Sequence, residues 1–235
     1  MPRRRATAEL GSSGRYRRAQ SRDAILDVAE GLIRTKGYEG MSIQDVQDEL
    51  GVSRGAIYHY SDSKAALLEA VVERIAGAVM AVVAPIAKDP EMDAITKLQA
   101  VFTAASRWKA ERKALMVGLL EAWYSDHNAI VREHLRLAAT DRLTPLLATI
   151  VRQGRAEGPF SVTSPDHAAS ILVALLIVSG DTTGRLYLQR LDGRVPFGDV
   201  RRAVSAYDEA VERILGLPAH SFRMIDEEAL HFWFA

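Results

Sequence analysis

The chain has 235 residues, 48% of them hydrophobic, with 30 Lys and Arg balanced by 30 Asp and Glu and no cysteine. That length permits one large domain, or a small one joined to a larger one. The lack of cysteine excludes disulfides, thiolate zinc sites and a cysteine nucleophile; zero net charge means that any polyanion partner must meet a local basic face.

Residues 1–20 are expected to form a basic disordered arm. Seven arginines (Arg3, Arg4, Arg5, Arg15, Arg17, Arg18, Arg22) stand against Glu9 in the first 22 positions, which suits either a solvated tail or a nucleic-acid contact. Gly11-Ser-Ser-Gly14 reads as a flexible joint or a remnant of cloning. Helical periodicity then begins, with Ile25, Val28, Ala29, Leu32 and Ile33 forming one apolar stripe that Gly37 should end. Ser42-Ile-Gln-Asp45 resembles a capping box opening a short helix that stops at Leu50, before Gly51. Ser53 can cap a helix of about two turns. Ser63 can cap another, running from Lys64 to about Val83, where Pro85 should stop it.

Farther on, Asp89-Pro90 and Ser164-Pro165 each place a capping residue before a proline, predicting helices over 90–109 and 165–190. Between them the pattern predicts helices over 112–125 and 128–156, and a last long one runs from Phe197 to Leu215 before Gly216. The tail from Met224 to Phe234 is amphipathic and rich in aromatics. The most apolar run, Ile171 to Val178, is too short to span a bilayer and reads as a buried helix segment. No strand alternation persists, and no secretory signal is visible; together with the missing cysteines this suits the cytoplasm. The expected fold is therefore all-α. A helix-turn-helix domain over 21–66 is joined through the helix from Lys64 to a helical bundle over 67–235, and movement in the bundle can be passed along that joining helix.

Two short helices linked by Gly51-Val-Ser53 are the helix-turn-helix arrangement. Val46, Leu50, Val52 and Ile57 would supply its small core. The helix that follows Ser53 would present Arg54, Gly55, Ala56, Tyr58 and His59 outward. In a major groove Arg54 can pair with guanine and Ala56 can touch a thymine methyl. Ser42, Tyr58, His59, Tyr60 and Lys64 suit phosphate contacts.

The segment 22–75, RDAILDVAEGLIRTKGYEGMSIQDVQDELGVSRGAIYHYSDSKAALLEAVVERI, resembles the TetR family of bacterial transcriptional regulators. The resemblance rests on Ala24-Ile25-Leu26, Gly37-Tyr38, Ser42, Asp45-Val46, Gly51-Val52-Ser53, Gly55, Ile57-Tyr58 and Ser63-Lys64 before Leu67. Met41, Gln47 and Tyr60-Ser61 depart from that pattern, where Thr, a small residue and His-Phe are usual. The resemblance implies a homodimer on a pseudo-palindromic double-stranded DNA operator, probing it with Ser53, Arg54, Gly55, Ala56, Tyr58 and His59 and with Ser42, Tyr60 and Lys64 on the backbone. It also implies a repressor that a small-molecule effector releases.

In the bundle, Arg107, Trp108, Trp123, Tyr124, His127 and Asp181 are candidate ligand contacts, although aromatics at helical spacing are more often core and an Asp181–Arg185 pair is the simpler account of Asp181. His127 and His134 share a spacing of seven, with no third metal ligand in view, and no metal or cofactor is implied. Leu172, Leu175, Leu176, Ser179 and Thr183 form one candidate dimer stripe, and Val204, Tyr207 and Val211 another. Two other readings remain. One is a regulator governed by a protein partner. The other is an α-helical enzyme, for which the sequence offers no phosphate-binding glycine loop, His-Glu-x-x-His motif or paired carboxylates.

Overall fold

The computed structural model describes the backbone of residues 6–52 and 63–235, with side chains from Arg22 onward. The described residues form nine α-helices and one 3-10 turn and contain no strand. They are α1 (Ala6–Gly40), α2 (Ile43–Leu50), α3 (Lys64–Lys88), α4 (Ala94–Ala110), α5 (Lys113–Tyr124), the 3-10 turn Asp126–Asn128, α6 (Ala129–Glu157), α7 (Pro165–Leu191), α8 (Phe197–Leu215) and α9 (Glu227–Phe234). Contacts divide the chain into two units. One holds Met1–Arg74 and Ala114–Val131, the other Ile75–Lys113 and Arg132–Ala235.

In the first unit, α1 buries Ile25, Leu26, Ala29, Leu32 and Ile33, so four of the five expected stripe residues are closed off and Val28 is half-buried. Gly37 interrupts the helix with φ 72° and ψ 163°, a backbone open essentially to glycine, and the chain turns to bury Tyr38 and Met41. α3 adds Leu67, Leu68 and Val71, and α5 adds Leu115, Leu119 and Ala122. Arg74 reaches from α3 to α1, where its guanidinium binds Glu30 at 2.7 Å and Asp27 at 2.7 Å.

In the second unit, the core gathers Val83 and Ala87 of α3, Leu98 and Val101 of α4, and Leu147, Ile150 and Val151 of α6. Leu172 and Val173 of α7 and Val211 and Leu215 of α8 complete it. α3 and α7 are long and apolar enough to cross a membrane by length and composition alone. Some of their apolar residues supply these cores: α3 serves the first unit at its start and the second at its end. After α8, a loop returns along the helix. The carboxylate of Glu212 accepts from Phe222 N–H at 3.0 Å, and that of Asp208 from Met224 N–H at 2.8 Å. Burial pushes the Asp208 carboxyl up to about 6 despite that hydrogen bond.

Several boundaries differ from the sequence expectations. α1 begins at Ala6, so residues 6–20, expected as a disordered arm, are helical, Gly11–Gly14 included. Three alanines and three arginines lie there and no proline intervenes, which is compatible with helix. Pro85 lies inside α3, which continues to Lys88. A proline so near a helix end forfeits one hydrogen bond without stopping the last turn. The cap of α4 is Asp93, not Asp89: its carboxylate accepts from Thr96 N–H at 3.0 Å. Ser164 does open α7 with Pro165 behind it, but its hydroxyl faces His167 Nδ1 at 2.7 Å rather than a backbone N–H. Val52, expected in the small core, is exposed. The run Ile171–Val178, expected as wholly buried, leaves Ile171 and Val178 more than half exposed.

Two glycines of the first unit allow a clean contrast. A methyl group on Gly118 would stand 2.4 Å from the Ile33 carbonyl oxygen, whereas one on Gly31 would meet nothing within 4 Å. Gly118→Ala should therefore lower stability by about 1–3 kcal/mol through forced backbone movement. Gly31→Ala, inside α1, should raise it by about 0.5–1 kcal/mol. Urea denaturation of both variants checks the pair; equal effects would show that α5 does not approach α1 so closely.

Candidate nucleic-acid interface

The eight residues of α2 are fixed at both ends. At its start, Ser42 Oγ accepts from Asp45 N–H at 3.1 Å, and Asp45 Oδ2 accepts from Ser42 N–H at 2.7 Å, a reciprocal capping box. The Ser42 hydroxyl also donates to Asp45 Oδ2 at 2.6 Å. Lys36, from the last turn of α1 before Gly37, donates to Asp45 Oδ1 at 2.8 Å. The Lys36 ammonium first, and the Ser42 donors after it, hold the Asp45 carboxyl well below the usual carboxylate range. At the other end Gly51 adopts φ 63° and ψ 31°, the left-handed conformation, and its N–H returns to Asp48 O at 3.3 Å. Val46 and Gln47 are buried, which sets the face of α2 that points inward. Gln47 and Met41, two departures from the family pattern, are both inside this unit.

Ser63 caps α3 as expected, its Oγ accepting from Ala66 N–H at 3.1 Å. Lys64, the first residue of α3, donates to Glu39 O at 3.1 Å, and its ammonium lies 4.4 Å from the centre of the Tyr38 ring. Burial first, and the nearby Glu39 charge second, push the Tyr38 hydroxyl up to about 12. Asn128 closes the same region from below: it is buried and its side-chain amide donates to Ala122 O at 3.0 Å. These partners link residues far apart in sequence, and no local spacing announces them. Of the expected DNA contacts, Ser42 and Lys64 thus sit at the capped starts of α2 and α3. Ser53, Arg54, Gly55, Ala56, Tyr58, His59 and Tyr60 lie outside the described residues.

Of the candidate ligand residues, Trp123, Tyr124 and His127 belong to the first unit and Arg107, Trp108 and Asp181 to the second. Trp123 and Tyr124 are half-buried at the end of α5, and His127 is exposed in the 3-10 turn with Nδ1 3.4 Å from Ser125 Oγ. In the second unit, Arg107 is exposed on α4, and the Trp108 ring is covered by the Arg112 guanidinium at 4.2 Å. Asp181, half-buried on α7, lies close enough for its charge to bear on Arg136. His134 is exposed on α6, and among the described residues no three His, Asp or Glu side chains come together as a metal site. One cavity in the second unit is lined by Ser205, Asp208, Glu209, Glu212, His220 and Phe222 and measures about 80 Å³. That holds a few waters, not an effector of ordinary size.

Residues of the candidate dimer stripes also pack within the chain. Leu172, Ser179, Val204 and Val211 are buried, while Leu175, Leu176, Thr183 and Tyr207 are half-buried. The Tyr207 hydroxyl meets Thr182 Oγ1 at 2.7 Å, joining α7 to α8. The large apolar residues that α7 leaves exposed are Ile171, Val178 and, at its end, Leu191; Ile171 and Val178 are seven apart and so on one face.

The charge on Asp45 yields a pH-dependent prediction. A carboxyl whose folded value lies below its unfolded one contributes stability above the unfolded value, about 3.9, and loses it as pH falls through the folded value. Asp45→Asn should be less stable than the parent at pH 5–7 by a constant margin. That margin should shrink below about pH 4. Thermal unfolding at pH 7, 5 and 3 measures it, and a margin unchanged at pH 3 would detach Asp45 from the cap.

Comparison with known proteins bears on this site. Residues 25–71 match the family described as bacterial regulatory proteins, tetR family. A 58-residue stretch is 40% identical to an uncharacterized HTH-type transcriptional regulator in the lacX 3′ region of Lactococcus lactis subsp. lactis. That match covers 25% of this chain and only 30% of the relative. Among solved structures, SmeT in complex with triclosan superposes with a TM-score of 0.59 at 21% identity, covering 86% of this chain and 94% of SmeT. SmeT is the repressor of the Stenotrophomonas maltophilia multidrug efflux pump SmeDEF. A transcriptional regulator from Pseudomonas aeruginosa PAO1 superposes at 0.56 with 22% identity, over 87% of this chain and 95% of its own. At such identities these likenesses are of fold. The matched segment begins at the buried stripe of α1, includes the doubly capped α2 and Gly51, and ends at Val71 of α3; over this stretch the chain is similar to the TetR family of bacterial regulators.

Proposed function

We propose that this chain is a homodimeric transcriptional regulator that binds a pseudo-palindromic DNA operator and is released from it by a small molecule, more specifically a repressor. The observation that carries the reading is α2, fixed by the Ser42–Asp45 box and left-handed Gly51 within the family-matched segment. A helix stopped in this way positions the start of whatever follows it, and the residues that follow, Ser53 to Tyr60, have the arginine, small and tyrosine side chains suited to a groove. Lys36 and Lys64 stand near the helix starts, paired with Asp45 and Glu39.

Dimerisation is supported by the exposed Ile171 and Val178 on α7. Bulky aliphatic side chains at that exposure, on one helix face, are best covered by a second copy of the same helix. Val178→Glu should then convert the dimer to monomer in sedimentation analysis without loss of helical signal. A variant that remains dimeric would move the interface elsewhere.

Control by a small molecule is supported by Thr144 of α6, whose hydroxyl is buried with no hydrogen-bond partner among the described residues. A buried orphan hydroxyl costs stability, and a bound effector can satisfy it. Replacing it with the isosteric valine should stabilise the free protein by about 1 kcal/mol, read by urea denaturation. The same change should weaken any effector recovered from a screen for operator release.

DNA recognition is tested by selecting bound sequences from a random duplex pool, then titrating variants across a salt series. Arg54→Ala should lose about 1–3 kcal/mol of sequence discrimination while keeping salt-sensitive binding. Lys64→Ala should weaken binding to all sequences alike and flatten the salt dependence. Failure to retain any duplex at low salt would remove the regulator reading, and unchanged preference in Arg54→Ala would remove that residue as the base reader.

A further inference from the structure

The second unit contains an aromatic enclosure that the regulator reading does not use. Tyr187 of α7 and Trp233 of α9 face each other at right angles, ring centres 6.1 Å apart and planes at 81°. Phe232 stands nearly perpendicular to Trp233, at 6.0 Å and 85°. The three rings surround one ammonium group. Lys113 Nζ lies 4.7 Å from the centre of Phe232, 5.5 Å from Trp233 and 5.9 Å from Tyr187. It also donates to Phe232 O at 2.6 Å, at the carbonyl-rich end of α9. Ring faces and helix-terminal carbonyls both present negative potential, so the enclosure is built for a cation.

Lysine is not the best occupant of such a site. Its ammonium is compact and strongly hydrated, so leaving water for ring faces costs it more than it costs an alkylated ammonium. An N-methylated ammonium is weakly hydrated and can press methyl groups on several ring faces at once. Phe232 is half exposed, so one wall of the enclosure is open to solvent. We propose that Tyr187, Phe232 and Trp233 form a receptor for a small quaternary ammonium cation, with the Lys113 side chain as its internal occupant until such a cation displaces it. Displacement releases Phe232 O and frees Lys113, which begins α5. The site therefore joins cation binding to the seating of the last helix. This inference does not rest on DNA binding, and operator retention by the unliganded protein is unaffected by its outcome.

The test uses the full-length protein and two probes of equal shape, choline and its neutral isostere 3,3-dimethyl-1-butanol, followed by saturation-transfer NMR of their methyl protons and by calorimetry. Lys113→Ala empties the enclosure. It should bind choline about tenfold more tightly than the parent protein does, and about tenfold more tightly than it binds the isostere. Adding Trp233→Leu in that background should abolish the difference between the probes. Equal binding of both probes by Lys113→Ala, or no binding of choline, overturns the proposal. If Lys113→Ala loses its helical circular dichroism, the two probes are compared on the parent protein at millimolar concentration. Preference for choline there supports the site, and no preference overturns it.

Discussion

An eight-residue helix cannot hold itself together in water, because forming its first turn costs more than so few hydrogen bonds return. α2 exists because both of its ends are satisfied. Ser42 and Asp45 exchange hydrogen bonds at its start, Lys36 braces Asp45 from the preceding helix, and Gly51 closes its end in a conformation that other residues enter only under strain. The rest of the first unit follows from these stops. Tyr38, Met41 and Val46 are drawn inward around a helix of fixed length, and Lys64 is drawn over Tyr38 on the far side of the turn. The family-matched segment is in this sense a set of helix ends more than a set of helices.

That view accounts for what could be read from the sequence. Helix ends set by neighbours in the chain were legible: the Ser42–Asp45 box, Gly51, Ser63, Ser164 with Pro165, and the limits of α8 at Phe197 and Gly216. Two ends were misjudged where local signals competed. Asp89-Pro90 and Asp93 both offer a cap, and Asp93 prevails because the chain between them is a tight turn, with Asp89 accepting from Glu91 N–H. Pro85 resembles a stop but falls within the last turn of α3, where it removes one hydrogen bond and little helix remains beyond it to disrupt. The candidate DNA contacts were legible as types and spacings only for Ser42 and Lys64 among the described residues. Their partners, Glu39 and Tyr38, are 25 and more residues away from Lys64, beyond any local pattern.

The apolar run of α7 shows a different kind of limit. Ile171 to Val178 has no polar residue by which to tell its faces apart, so periodicity cannot separate burial within the chain from burial against another. The structure makes the division: Leu172 and Val173 go to the core with Val211 and Leu215 of α8, while Ile171 and Val178 stay outside. A one-residue step along a helix is a rotation of about 100°, enough to exchange an inner face for an outer one. Residues of the expected dimer stripe therefore also pack within the chain, while Ile171 and Val178, one position away, remain exposed.

α9 repeats the problem of α2 at the other end of the chain, also with eight residues. Its start is capped locally, Asp226 accepting from Ala229 N–H at 2.7 Å, and that cap is visible in the sequence. At its other end, Phe232 O and Phe234 O are not satisfied by a left-handed glycine like Gly51. Two cations from elsewhere satisfy them instead, Lys113 at Phe232 O and Arg190 at Phe234 O. Positive charge at that end also complements the helix dipole. A helix closed by its own neighbours forms whenever its segment folds. One closed by borrowed cations forms only while those cations stay, and Gln99 of α4 reinforces the arrangement by exchanging hydrogen bonds with the backbone of Arg223 just before it. Short helices in this chain thus differ in what can undo them: α2 answers to the protonation of Asp45, and α9 to whatever competes for Lys113 and Arg190.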